Sequence, residues 1–229
     1  MSIKTYQNDQ NEKNYLASLG FVFDDHIYHE NESTFTRASF GAISKAHGLI
    51  MPKLFPYSNF GSSDDLTFKD SELAKTYLRT LVGDDEQAFF YEHGATNVFN
   101  AGSCRGSCGG LAHIHFLILN KDVSLTPEIL DRYIIKNDFV KSDPEQFDRE
   151  KLYQYTADGG AYISYELDDG TSYYYPVENL PSQFMQRTMT SIIQPKKKFL
   201  KWQESMHTKE GRELYKQNVL DFGMGRYEK

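Results

Sequence analysis

The stretch Gly109-Gly110-Leu111-Ala112-His113-Ile114-His115-Phe116-Leu117-Ile118-Leu119 decides how the rest of the chain is read. A short apolar run behind a glycine pair predicts a β-strand, and two histidines stand two apart inside it. Side chains alternate across a strand, so His113 and His115 share one face while Ile114, Phe116 and Ile118 take the other. Same-face neighbours lie roughly 6.5–7 Å apart, a span from which two imidazoles can address one phosphate or one metal ion. A hydrogen-bonded core pair is the plain alternative for any His-x-His. The preceding loop tips the reading toward a site. Residues 95–110 hold four glycines, two serines, Cys104, Cys108 and Arg105. Glycine lets backbone approach an anion without a Cβ in the way, and successive N–H groups can ring it.

Upstream, residues 35–44 predict a strand with Phe40, Ala42 and Ile43 available to the core. Lys45-Ala46-His47-Gly48 predicts a turn, and Leu49-Ile50-Met51 a short strand stopped by Pro52, making a hairpin with His47 at its turn. Residues 54–68 read as loop, rich in proline, glycine, serine and asparagine. Asp70 or Ser71 then caps a helix to about Val82, with Leu73, Tyr77, Leu78 and Leu81 on its core face. Residues 88–92 predict the next strand, ending at His93-Gly94. Before all of these, residues 1–34 read as a polar, irregular arm in which His26 and His29 are scattered surface histidines.

Downstream, Thr126-Pro127-Glu128 is a helix start with cap, first-turn proline and acid in order, and that helix runs to about Asn137 with Ile129, Leu130, Tyr133 and Ile134 inward. Residues 141–150 read as charged and exposed. Residues 160–167 and 171–177 predict a hairpin around Asp168-Asp169-Gly170. Its run Tyr173-Tyr174-Tyr175 reads as cross-strand packing ahead of a base-stacking platform. A helix follows over 182–193, with Gln183, Gln186 and Arg187 on its polar side, and a last one over 209–220. Lys196-Lys197-Lys198, Lys201 and Trp202 form the one basic patch, read as a solvated face.

The alternation of these elements predicts an α+β fold. The 229 residues are 39% hydrophobic, with 16 Tyr and 16 Phe, enough for one sizeable core. We read a single domain: arm 1–34, core 35–125, and a C-terminal extension 126–229 packed on it. A net charge of −7 and a pI near 5.5 exclude a global basic footprint, so nucleic acid is an unlikely partner. No apolar run reaches the ~18 residues of a membrane span, and residues 1–7 lack a signal-peptide core. No membrane partner and a cytoplasmic, reducing location are expected, where Cys104 and Cys108 are thiols or ligands before they are a disulfide.

Taken together, these segments resemble the histidine triad (HIT) superfamily of nucleotide hydrolases and transferases. The family signature is His-φ-His-φ-His-φ-φ, with φ apolar, on a strand behind a glycine/serine loop. It falls on Leu111-Ala112-His113-Ile114-His115-Phe116-Leu117, with leucine in place of the first histidine. Ala46-His47-Gly48-Leu49-Ile50-Met51-Pro52-Lys53 is similar to the family's Gly-His-x-Leu-Ile-Ile-Pro-Lys segment. Tyr91-Glu92-His93-Gly94 is similar to a Phe-Glu-His-Gly-like strand end of bacterial members. The resemblance covers about residues 35–120. It implies a central antiparallel sheet of about five strands with packed helices. It also implies that His113 attacks the α-phosphate of a nucleotide or nucleotidylated compound, forming a nucleotidyl-histidine. His115 and His47 would orient His113 or hold phosphate oxygens. Amides of Ser107, Cys108, Gly109 and Gly110, with Asn97 and Arg105, would bind the substrate. No metal or other cofactor is required by that scheme, and a homodimer is left open. His93 is the candidate to replace the imidazole lost at Leu111.

Three other readings stay open. Leu111 suits a nucleotide-binding or regulatory module that has lost turnover. Cys104, Cys108, His113 and His115 offer a zinc-type ligand set. Some HIT relatives process nucleic-acid ends, a role the acidic balance opposes.

Overall fold

The computed structural model describes residues 27–44, 46–53, 57–94, 112–178, 180–181 and 183–223. Among these, eight strands form one antiparallel sheet: β1 Ile27–Glu30, β2 Thr34–Ala38, β3 His47–Pro52, β4 Glu86–Gly94, β5 Ile114–Asn120, β6 Glu145–Gln146, β7 Ala161–Glu166 and β8 Ser172–Val177. Their spatial order is β1-β2-β3-β5-β4-β7-β8-β6. The helices are α1 Asp65–Arg79, α2 Pro127–Ile134, α3 Arg149–Ala157, α4 Phe184–Ile193, α5 Trp202–His207 and α6 Lys209–Gly223. The α+β class stands. The sheet is wider than the five or so strands expected. The 161–177 hairpin docks along β4, from Phe90 opposite Glu166 to Gly94 opposite Tyr162, and so closes an edge that would otherwise offer unpaired backbone. At the far edge, Ile27, His29 and Glu30 pair with β2. That part of the arm is strand, and His29 stacks on Tyr77 at 4.0 Å.

Alternation sorts the central strands onto two faces. Ile114, Phe116 and Ile118 of β5 join Phe90, Ile50 and the α1 residues Ala74 and Leu78 on one face. Leu117 and Leu119 join Phe89, Tyr91, Ile163, Tyr165 and Tyr175 on the other, under α2 and α4 through Leu130, Ile134, Phe184, Met185 and Met189. Each face buries a continuous apolar layer, which also fixes register, since a slip of one residue would exchange the faces.

Several boundaries move for local reasons. Helix α1 begins at Asp65, because the Asp64 carboxylate accepts the Thr67 N–H at 2.7 Å. The serines and aspartates read as loop there are also capping residues. Asp70, read as the cap, instead accepts the Ser33 N–H at 2.6 Å and its hydroxyl at 2.7 Å, tying α1 to the β1–β2 turn. Leu73 is 49% exposed rather than core. The stretch read as charged and exposed contains β6 and the start of α3, capped by Asp148. Only Leu152 and Thr156 of α3 are buried, too narrow a stripe to register in the sequence. Helix α2 starts where Thr126 caps it but stops at Ile134, and Tyr133 is exposed. The Asp168-Asp169-Gly170 turn forms as expected, with Gly170 at φ +85°, and Leu167 N–H donates to Thr171 O at 2.9 Å.

Candidate active site

Four of the seven histidines meet on one face of three adjacent strands. His47 opens β3, His115 lies in β5, His113 directly precedes β5, and His93 is next to last in β4. His115 stands opposite Leu49 on one side and Tyr91 on the other. The β4–β5 pairing runs from Glu86–Asn120 to Glu92–Ile114, and continuing that register sets His93 across from His113. All four are buried. His113 and His115 do share a face, with ring centroids 4.8 Å apart and an angle of 65° between the planes.

Hydrogen bonds fix two tautomers. The Ile43 N–H donates to His47 Nδ1 at 3.2 Å, so that nitrogen carries the lone pair and the proton sits on Nε2. His47 Nε2 lies 2.8 Å from His115 Nδ1, so His47 donates there and His115 in turn holds its proton on Nε2. Tyr91 stacks on the His115 ring at 4.4 Å and 9°. One backbone N–H thereby sets the donor direction of an imidazole two hydrogen bonds away.

Electrostatics keep the cluster neutral. Burial, reinforced by the proximity of His113, lowers the pKa of both His47 and His93 to about 3. The same causes, with His47 and His93 added, hold His115 well below the ordinary value. Imidazoles in this state keep lone pairs and N–H donors at pH 7 without mutual charge repulsion.

His47 is not at the tip of a turn. Residues 39–46 bridge β2 and β3, and His47 pairs with Leu117. Its position is held from the C-terminal half of the chain. Asn218 of α6, fully buried, accepts the His47 backbone N–H at 2.6 Å and donates to Ser44 O at 3.1 Å. Gln186 of α4 donates to Gly41 O, and Gln194 to Ile43 O at 3.1 Å. Gln183 and Gln186 were expected on a polar side but are buried. These glutamines and Asn218 were missed as supports. Their one sequence signal is amides on the buried side of predicted helices, where a backbone partner is needed.

Glu92 points to the opposite face. It accepts the Phe60 N–H at 2.7 Å and the Tyr162 hydroxyl, and that hydroxyl accepts the Gly61 N–H at 2.9 Å. Tyr57 O accepts the Ala112 N–H at 3.0 Å, so the 57–63 segment lies beside the entry to His113.

Asn97, Cys104, Arg105, Ser107, Cys108, Gly109, Gly110 and Leu111 lie outside the described residues. Among the described residues, no group of three or more His, Cys, Asp or Glu side chains is arranged to hold a metal ion. No described helix is long and apolar enough to cross a membrane.

No family model matches the chain, and no curated protein sequence does. Among solved structures it is similar to yeast Ap4A phosphorylase in complex with AMP, at 13% identity and a TM-score of 0.40. The likeness covers 65% of this chain and 57% of that one, so it spans little more than half of the yeast enzyme. At that level of similarity, any functional reading rests on the residues of this chain and their geometry.

Proposed function

We propose that this chain is a HIT-like nucleotide hydrolase or nucleotidyltransferase that cleaves at the α-phosphate through His113. The observation that supports it most is the neutral, tautomer-fixed imidazole cluster on one sheet face, behind the glycine-rich loop. Neutral His113 is a competent nucleophile near pH 7. Its ring lone pair attacks phosphorus, an N–P bond forms, and the bond from phosphorus to the leaving oxygen breaks with its electron pair on oxygen. Water or an acceptor then attacks phosphorus, and the N–P pair returns to the ring. The His115 Nε2–H, aimed by His47, is a donor for the nucleophile or a phosphate oxygen. Amides of 107–110 are the proposed partners of the charge that develops, the larger part of catalysis at such sites. The substrate is a nucleoside polyphosphate or a nucleotidylated small molecule.

One sequence observation favours a second reading. Leu111 can neither donate to phosphate nor assist a leaving group, which fits a module that binds nucleotide without turnover. Incubation with dinucleoside polyphosphates and nucleotidylated amines in ¹⁸O-water separates the two. Release of a nucleoside monophosphate carrying ¹⁸O on its α-phosphorus supports hydrolysis there. Saturable binding without product supports the second reading.

A further inference from the structure

We infer that His93 is a catalytic residue: it protonates the departing oxygen from across the strand pair, in place of the imidazole that Leu111 has removed. The inference rests on the proposed attack by His113 and assigns the proton that this attack needs.

Placement comes first. His93 continues the β4–β5 register opposite His113, where facing Cβ atoms are about 4.5–5.5 Å apart. Its side chain therefore flanks whatever phosphorus His113 attacks, from the β4 side, while His115 and His47 flank it along β5 and β3. The second observation is an unsatisfied atom. His93 is 6% exposed, and its Nε2 is buried with no hydrogen-bond partner among the described residues. A buried nitrogen without a partner costs roughly 1–3 kcal/mol. A valine or isoleucine at this strand position would pack against Ile163 without that penalty. His47 and His115, by contrast, bond one another. A nitrogen kept buried and unpartnered beside the nucleophile is what a substrate atom would complete.

The third observation is charge. On this face His93 is surrounded by Tyr91, Ile163, His113 and His115, whereas Glu92 is turned to the other side. No carboxylate there stabilises an imidazolium, so the ring is neutral in the free protein. A bound phosphate anion supplies the missing counter-charge and favours protonation. The step balances. His93 takes up one proton as the anion binds. As the phosphorus–oxygen bond breaks, that proton goes to the leaving oxygen, and the ring returns to neutral. In the second half, neutral His93 accepts the proton of the attacking water.

Leaving-group dependence tests this. Single-turnover formation of the His113 adduct is measured with the p-nitrophenyl and the phenyl esters of AMP, in wild type and His93→Gln. Nitrophenolate departs without a proton. Phenolate, with a conjugate-acid pKa of about 10, benefits from one. The expected result is a loss of about 10²- to 10⁴-fold with the phenyl ester, the usual contribution of a general acid, and less than about threefold with the nitrophenyl ester. The ratio of the two rates within one variant does not depend on the folded fraction, and His93→Asn replaces His93→Gln if the latter does not fold. Equal losses on both esters, or none on either, overturn the role of His93 while leaving attack by His113 standing. Absence of an adduct in wild type with both esters overturns the proposed reaction and this role together.

Discussion

At the scale of single residues, the bond from His47 Nε2 to His115 Nδ1 decides which way the site can donate. Removing His47 leaves a buried His115 nitrogen without its donor and frees the ring to change tautomer. His47→Ala is expected to lower the rate of His113 adduct formation by up to about 10²-fold, the scale of a misaligned reacting group. It should also move the ¹⁵N shifts of His115 away from a pure Nε2–H pattern. Unchanged ¹⁵N shifts would show that Ile43 and His47 do not set the tautomer. The shared face of His113 and His115 was legible from the period of two alone. That His93 and His47 join them was not, because it depends on pairing between strands far apart in sequence. The role of Asn218, 171 residues beyond His47, carried even less local signal.

At the scale of elements, the 57–63 segment is clamped from three sides. Glu92 and Tyr162 hold its amides, Arg149 of α3 donates to Gly61 O and Ser63 O at its carbonyls, and Ala112 hangs from Tyr57. Gly94 makes the clamp possible, since a Cβ there would lie 2.3 Å from the Tyr162 ring. Gly94→Ala must push that ring away from Glu92. It should destabilise by about 1–3 kcal/mol, as overpacking does, and more than the same substitution at Gly83, where only the flexible Glu86 side chain is met. Equal melting temperatures for the two variants would contradict the clamp. The sequence displayed the hairpin and the capped helix α2 because turn and cap residues act locally. It hid α3 and the start of α1, where a cluster of serines and aspartates is compatible with loop and cap alike.

At the scale of the whole molecule, buried ionisable groups of opposite character set the pH range of the fold. Burial raises Glu92 to about 7, against 4.5 unfolded, so the folded state binds the extra proton and Glu92 loses stability as pH rises from about 4.5 to 7. Buried His47, His93 and His115 are shifted down from 6.5, so the unfolded state binds their protons and stability is lost as pH falls below 6.5. Three groups oppose one in the overlapping window. Stability measured by denaturant unfolding should therefore rise from pH 4.5 to about 6.5, then level. Glu92→Gln should steepen that rise, and a shallower profile would contradict the assignment. The α+β class was legible from element order, but the eight-stranded width was not, because docking of the 161–177 hairpin on β4 is a tertiary event. The central claim is that His113 carries the nucleotide, and intact-protein mass spectrometry after brief exposure to nucleotide esters tests it most directly. The account predicts a nucleotide-sized, acid-labile adduct in wild type that is absent in His113→Ala. An adduct that persists in His113→Ala, or a wild type that turns over substrate without ever carrying one, would contradict it.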